Sequence, residues 1–258
     1  MRISPEDIEE LRVAKNILEN PGITAKLTNL IGTPIERGLV LLPGDWQKKV
    51  SVATHDALMT ALKGALLTMG SGTKEANPRW HKIAAALSGG IGGAFGLPAL
   101  IVELPVSTTI MLRSIADIGR SHGEVLSTTQ ARLACLEVFA LGGPSRRDDS
   151  AESGYFAVRS ALARAVSEAS KYLAEKTAVE EGAPALVRLI AAIAARFQVQ
   201  VSEKAAAMAV PLIGAIGGSG INLLFINHYQ DMSRGHFVVR KLERKYDHML
   251  VRDTYETL

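Results

Sequence analysis

IAAALSGGIGGAFGLPALIV, residues 83 to 102, carries no charge, and AAAMAVPLIGAIGGSGINLLFIN, residues 205 to 227, is its counterpart late in the chain. At about 1.5 Å of rise per residue, twenty helical residues reach across the roughly 30 Å of a bilayer's hydrocarbon. Pro98 and Pro211 interrupt the two runs, and glycine dilutes both. Independent insertion is therefore not expected. The runs read instead as helices that lie shallowly against lipid or pack against each other. Gly89 with Gly93, Gly92 with Gly96, and Gly214 with Gly218 are spaced four apart, with Gly217 beside the last pair. That spacing strips side chains from one helical face and lets another backbone approach, in a membrane or in a helical core alike.

Around these runs the chain reads as helices separated by proline and glycine. Ser4, Pro5 and Asp7 form a cap, a first-turn proline and a capping box, which predicts a helix to Asn20. Apolar spacing predicts another from Trp46 to Met69, and Ser127-Thr128-Thr129 caps one running to Leu141. Pro98 and Pro105 are expected to subdivide the chain up to Gly119. An amphipathic pattern covers Tyr155 to Lys176, an alanine-rich helix is expected from Ala185 to Met208, and an amphipathic, basic pattern starts at Asp231. Alternating β-branched runs are missing. The expectation is an all-α, multi-helix bundle with the two glycine-rich segments packed centrally, a single domain over 1–258 with a hinge or subdomain boundary at 142–150.

Composition narrows the function. The 258 residues are 47 % hydrophobic and 5 % aromatic, with a net charge of +3. Nucleic acid is not expected as a partner, because basic residues do not alternate with stacking aromatics. The single Cys135 excludes an internal disulfide and a CxxC motif. MRISPEDIEELR is acidic and amphipathic, unlike a secretory signal, which points to the cytoplasm.

An ordered set of motifs resembles the EcsC family of bacterial proteins. It comprises Pro34-Ile35-Glu36, the Leu-Leu-Pro ending at Pro43, Glu103-Leu104-Pro105-Val106-Ser107-Thr108-Thr109, Ile115-Ala116-Asp117, His122-Gly123-Glu124, and Pro211-x-x-Gly214-Ala215 with Asn222. The resemblance implies a loose membrane association and supplies no catalytic residues.

Five residues form the candidate polar site: Glu103, Asp117, His122, Asn222 and His228. Glu103 closes the first apolar run, and a constant offset between the runs places His228 at the end of the second. Glu103 either marks where its segment meets water or pairs with Asn222 or His228. In the second case Glu103→Gln is expected to be tolerated and Glu103→Leu is not. No three ligands share a helical face, so no metal is expected. Gly217-Gly218-Ser219-Gly220-Ile221 lacks the last glycine of a nucleophile elbow, Phe95 stands where a dinucleotide fingerprint needs glycine, and no phosphate-binding G-x-x-x-x-G-K-[ST] occurs. No cofactor is expected. The reading is a non-enzymatic factor at the inner face of a membrane, accessory to a transport or secretion system, with a membrane surface or membrane protein as partner. Two alternatives stand beside it: a helical protein that binds a lipid or other apolar ligand, and a hydrolase assembled from Glu103, Asp117, His122 and Asn222.

Overall fold

The computed structural model describes residues 2–19, 23–32, 34–68, 97–143, 154–175, 180, 182–209 and 214–258. Among these there are ten α-helices, one 3-10 turn and no strand, so the protein is all-α. The helices are α1 (Pro5–Glu19), α2 (Ile23–Ile31), α3 (Ile35–Val40), α4 (Trp46–Thr68), α5 (Leu97–Ser121), α6 (Thr129–Glu137), α7 (Gly154–Glu175), α8 (Pro184–Ala209), α9 (Gly214–Lys245) and α10 (His248–Thr257). The turn Val138–Ala140 extends α6. Gly89, Gly92, Gly93 and Gly96 lie outside the described residues, as do residues 144–150 of the expected hinge. Gly214, Gly217 and Gly218 fall in the first turns of α9.

Local chemistry accounts for the boundaries. The Ser4 hydroxyl accepts from the Asp7 amide at 3.3 Å and donates to the Asp7 carboxylate at 2.8 Å, which starts α1. Thr128 caps α6 by accepting from the Ala131 amide. Asp247 caps α10 through the amides of Met249 and Leu250. One expectation is corrected. Pro105 does not divide its segment, because α5 runs through it to Ser121, with the Thr109 hydroxyl donating to the Pro105 carbonyl at 2.8 Å. Packing against α4 and α9 outweighs the missing backbone donor. The basic pattern beginning at Asp231 forms the later turns of α9, which continues unbroken from Gly214 to Lys245.

The core forms where α8, α9 and the 3-10 turn meet. Phe139 lies 5.0 Å from Phe197 and 5.1 Å from Tyr229, and Phe225 lies 5.5 Å from Tyr229, ring centre to ring centre. Each such pair adds about 0.5 to 1.5 kcal/mol beyond area burial. Among the described residues, α8 is the one helix long and apolar enough to cross a membrane. Its buried Leu186, Leu189, Ile190, Ile193 and Phe197 form a helical stripe facing its neighbours, as in the core helix of a bundle. Close backbone contact does occur, at a glycine that the spacing argument passed over. A Cβ on Gly38 of α3 would overlap the backbone of Ala206 in α8.

Candidate functional site

Three helices bring Glu103, Lys204 and Asn222 together. Asn222 of α9 donates its side-chain amide to Glu103 Oε1 of α5 at 2.8 Å, and Lys204 Nζ of α8 donates to the same oxygen at 3.3 Å. Glu103 is 9 % exposed, Lys204 1 % and Asn222 4 %. The other carboxylate oxygen, Oε2, is buried with no hydrogen-bond partner among the described residues. Burial holds the Lys204 ammonium below the usual lysine range, and the Glu103 charge opposes that shift. The ammonium also sits 5.3 Å from the centre of the Phe225 ring. One residue earlier, Glu203 accepts from the Thr24 hydroxyl at 2.7 Å, and burial raises its carboxyl. Lys204 was not anticipated. Its signal was the Glu203-Lys204 pair, the last charges before a long apolar stretch that begins with three alanines.

The other expected residues are dispersed. Asp117 lies fourteen residues beyond Glu103 on the same helix, about 21 Å along its axis, and accepts from Arg120 at 2.8 Å. His122 places Nδ1 2.8 Å from the Ile118 carbonyl. Glu103, Asp117, His122 and Asn222 therefore do not assemble into one catalytic cluster. His228 is fully buried, and neither ring nitrogen has a hydrogen-bond partner among the described residues. Burial, aided by the nearby Lys26 charge, pulls its pKa down to about 3. Gly142, at φ +71°, packs so closely on this ring that a Cβ there would collide with it. No group of three His, Cys, Asp or Glu among the described residues is placed to hold a metal ion.

Residues 6–242 match the EcsC protein family. The chain belongs to the EcsC family. No curated protein and no solved structure matches it. In this EcsC family chain, several of the residues that carried the resemblance hold helices together. Glu103 and Asn222 join α5 to α9. The His122-Gly123-Glu124 turn joins the same two helices at the far end of α5. There Glu124 accepts from Arg240 at 2.8 and 3.1 Å and from Arg244, while the His122 carbonyl accepts from Arg244 at 2.6 Å. The two arginines keep the buried Glu124 carboxyl below its ordinary range despite desolvation.

A second feature of this EcsC family chain lies on its surface. A groove of about 570 Å³ runs between α4 and α5, with Val52, Ala53, Ile101 and Pro105 on its walls and Lys48, Lys49, Asp45 and Asp56 at its edge. Beside it, Val52 is 56 %, Val102 78 % and Val106 54 % exposed. Val102 and Val106 are four apart on one face of α5. Val102 is also the last residue of the uncharged run 83–102.

Proposed function

We propose that this protein is a non-enzymatic accessory factor that adheres peripherally to the inner, cytoplasmic face of a membrane, in the service of a transport or secretion system. The supporting observation is the ridge of exposed Val52, Val102 and Val106 beside the groove, where Val102 is the last residue of the uncharged run in sequence and Lys48 and Lys49 stand at the groove's edge with Asp45 and Asp56. Seating three valines in an apolar phase supplies on the order of 4 kcal/mol. A lysine beside anionic headgroups adds about 1 kcal/mol; Lys49 is already paired with Asp45 at 2.7 Å. Such a sum resembles the reversible adhesion of one acyl anchor, about 10⁴ M⁻¹. It fits a protein that carbonate removes from membranes. The sealed Glu103, Lys204 and Asn222 cluster serves as a clamp between helices, because a substrate has no access to it.

A second reading draws on the groove itself, whose volume falls within the range of small-molecule pockets. It makes the protein a carrier of a lipid or other apolar ligand. Co-sedimentation of the full chain with anionic vesicles separates the two. Val102→Asp with Val106→Asp should abolish sedimentation if the ridge meets lipid. Unchanged sedimentation, or retention in carbonate-washed membranes, refutes peripheral adhesion through this ridge. Binding of a fluorescent fatty acid that Val52→Asp on the groove wall abolishes, without vesicle binding by the parent, would favour the carrier.

A further inference from the structure

Away from the valine ridge, a cleft of about 610 Å³ opens between α6, α7, α9 and α10. Among the described residues, the side chains of Arg159, Lys171, Arg240 and Arg252 line it, together with His248. Two of these are held rigidly from behind. Arg159 grips Glu243 with Nη1 and Nη2 at 2.7 and 3.1 Å, and Arg240 grips Glu124 with Nε and Nη2 at 2.8 and 3.1 Å. Arg159 Nε and Arg240 Nη1 make no hydrogen bond among the described residues, so each guanidinium is oriented with donors to spare. Planar guanidiniums fixed in this way are suited to the oxygens of a phosphate group.

The rest of the lining agrees with that reading. Lys171 makes no ion pair among the described residues, and Ser160, Ser167 and Ser170 present hydroxyls from the same wall of α7. Phe156 supplies an apolar surface, with the Arg252 guanidinium 5.7 Å from its ring centre. Among the described residues, the one carboxyl lining the cleft is Glu137. Burial raises its pKa, and the Glu243 and Glu124 charges add to the rise against the pull of Arg159 and Arg240.

We infer that this cleft binds the phosphate group of a phosphate-bearing organic molecule. Arg159 and Arg240 are already charge-paired and contribute oriented N–H donors more than net charge; with Lys171 and the three serine hydroxyls they match the many acceptors of a phosphate monoester better than the two oxygens of a carboxylate. The volume exceeds what bare phosphate fills and leaves room for an attached organic body beside Phe156. The source of the phosphate is either a soluble metabolite or a lipid headgroup.

The test uses the full-length chain and the exposed variants Lys171→Ala and Ser167→Asp, each first shown by circular dichroism and thermal melting to fold as the parent does. Pyrophosphate and ATP, titrated by calorimetry, are the soluble probes. Phosphatidylcholine vesicles doped with phosphatidic acid are the lipid probe, with the Val102→Asp and Val106→Asp variant as carrier of the assay so that adhesion through the ridge does not contribute. Binding to a soluble probe that weakens about tenfold or more in Lys171→Ala and vanishes in Ser167→Asp identifies a soluble ligand. Binding confined to the phosphatidic acid vesicles, with the same losses, identifies a headgroup. Glu137→Gln should bind at least as tightly as the parent in either case. Absence of binding to every probe, or binding indifferent to Lys171→Ala and Ser167→Asp, overturns the inference.

Discussion

Replacing Glu103 with leucine removes the carboxylate that faces the Lys204 ammonium at 3.3 Å and the Asn222 amide at 2.8 Å, all in a site less than a tenth exposed. Breaking a buried ion pair by deleting one partner costs about 3 to 5 kcal/mol, because the other charge stays desolvated without compensation. Glu103→Gln keeps an acceptor near both donors and loses only the charge, so its cost should be smaller, about 1 to 3 kcal/mol. The double substitution Glu103→Leu with Lys204→Met exchanges the pair for apolar groups of similar size. It should be more stable than Glu103→Leu alone, with a coupling of roughly 2 kcal/mol or more in a double-mutant cycle. Urea unfolding of the parent, the single variants and the double variant provides the stabilities. The reasoning is refuted if leucine and glutamine are equally stable at this position, or if the Glu103 and Lys204 substitutions simply add.

Acidification tests the buried imidazoles. His228, down to about 3, and His236, shifted well below 6.5 chiefly by burial, stay neutral in the folded state and protonate readily once unfolded. Their contribution is therefore complete above the unfolded pKa of about 6.5 and is lost as pH falls toward the folded values. At pH of about 5.5 the His228 part amounts to about 1.4 kcal/mol, and His228→Leu should flatten the decline measured by urea unfolding between neutral and mildly acid pH. Gly38→Ala should destabilise the protein by about 1 to 3 kcal/mol, since its Cβ would press on the Ala206 backbone; a melt identical to the parent's would show that α3 shifts freely. Cys135, fully buried with its thiol pKa raised by desolvation, should resist a thiol reagent until denaturant is added. Rapid labelling of the native protein would contradict the packing around α6.

The amino-acid sequence was enough to determine the all-α class, the family and most helix limits, because these follow from local terms. Ser4 and Thr128 bond to amides three residues ahead, and the stripe from Leu186 to Phe197 needs only helical periodicity. Glu103 and Asn222 could be nominated as partners from their places at the apolar runs, but not distinguished from Asp117, His122 and His228, since periodicity carries no information on distances between helices. Tertiary packing decided that Asn222, and not His228, reaches Glu103, and it brought in Lys204 from a helix a hundred residues away. That charge is why Glu103→Gln, expected from sequence to be harmless, is now predicted to cost stability. Pro105 shows the same rule from the other side: its intrinsic preference is to interrupt a helix, and burial of Leu104, Met111 and Ile115 against neighbouring helices overrides it. The cationic cleft was the least legible feature, because its lining is drawn from four helices that meet only in the folded protein.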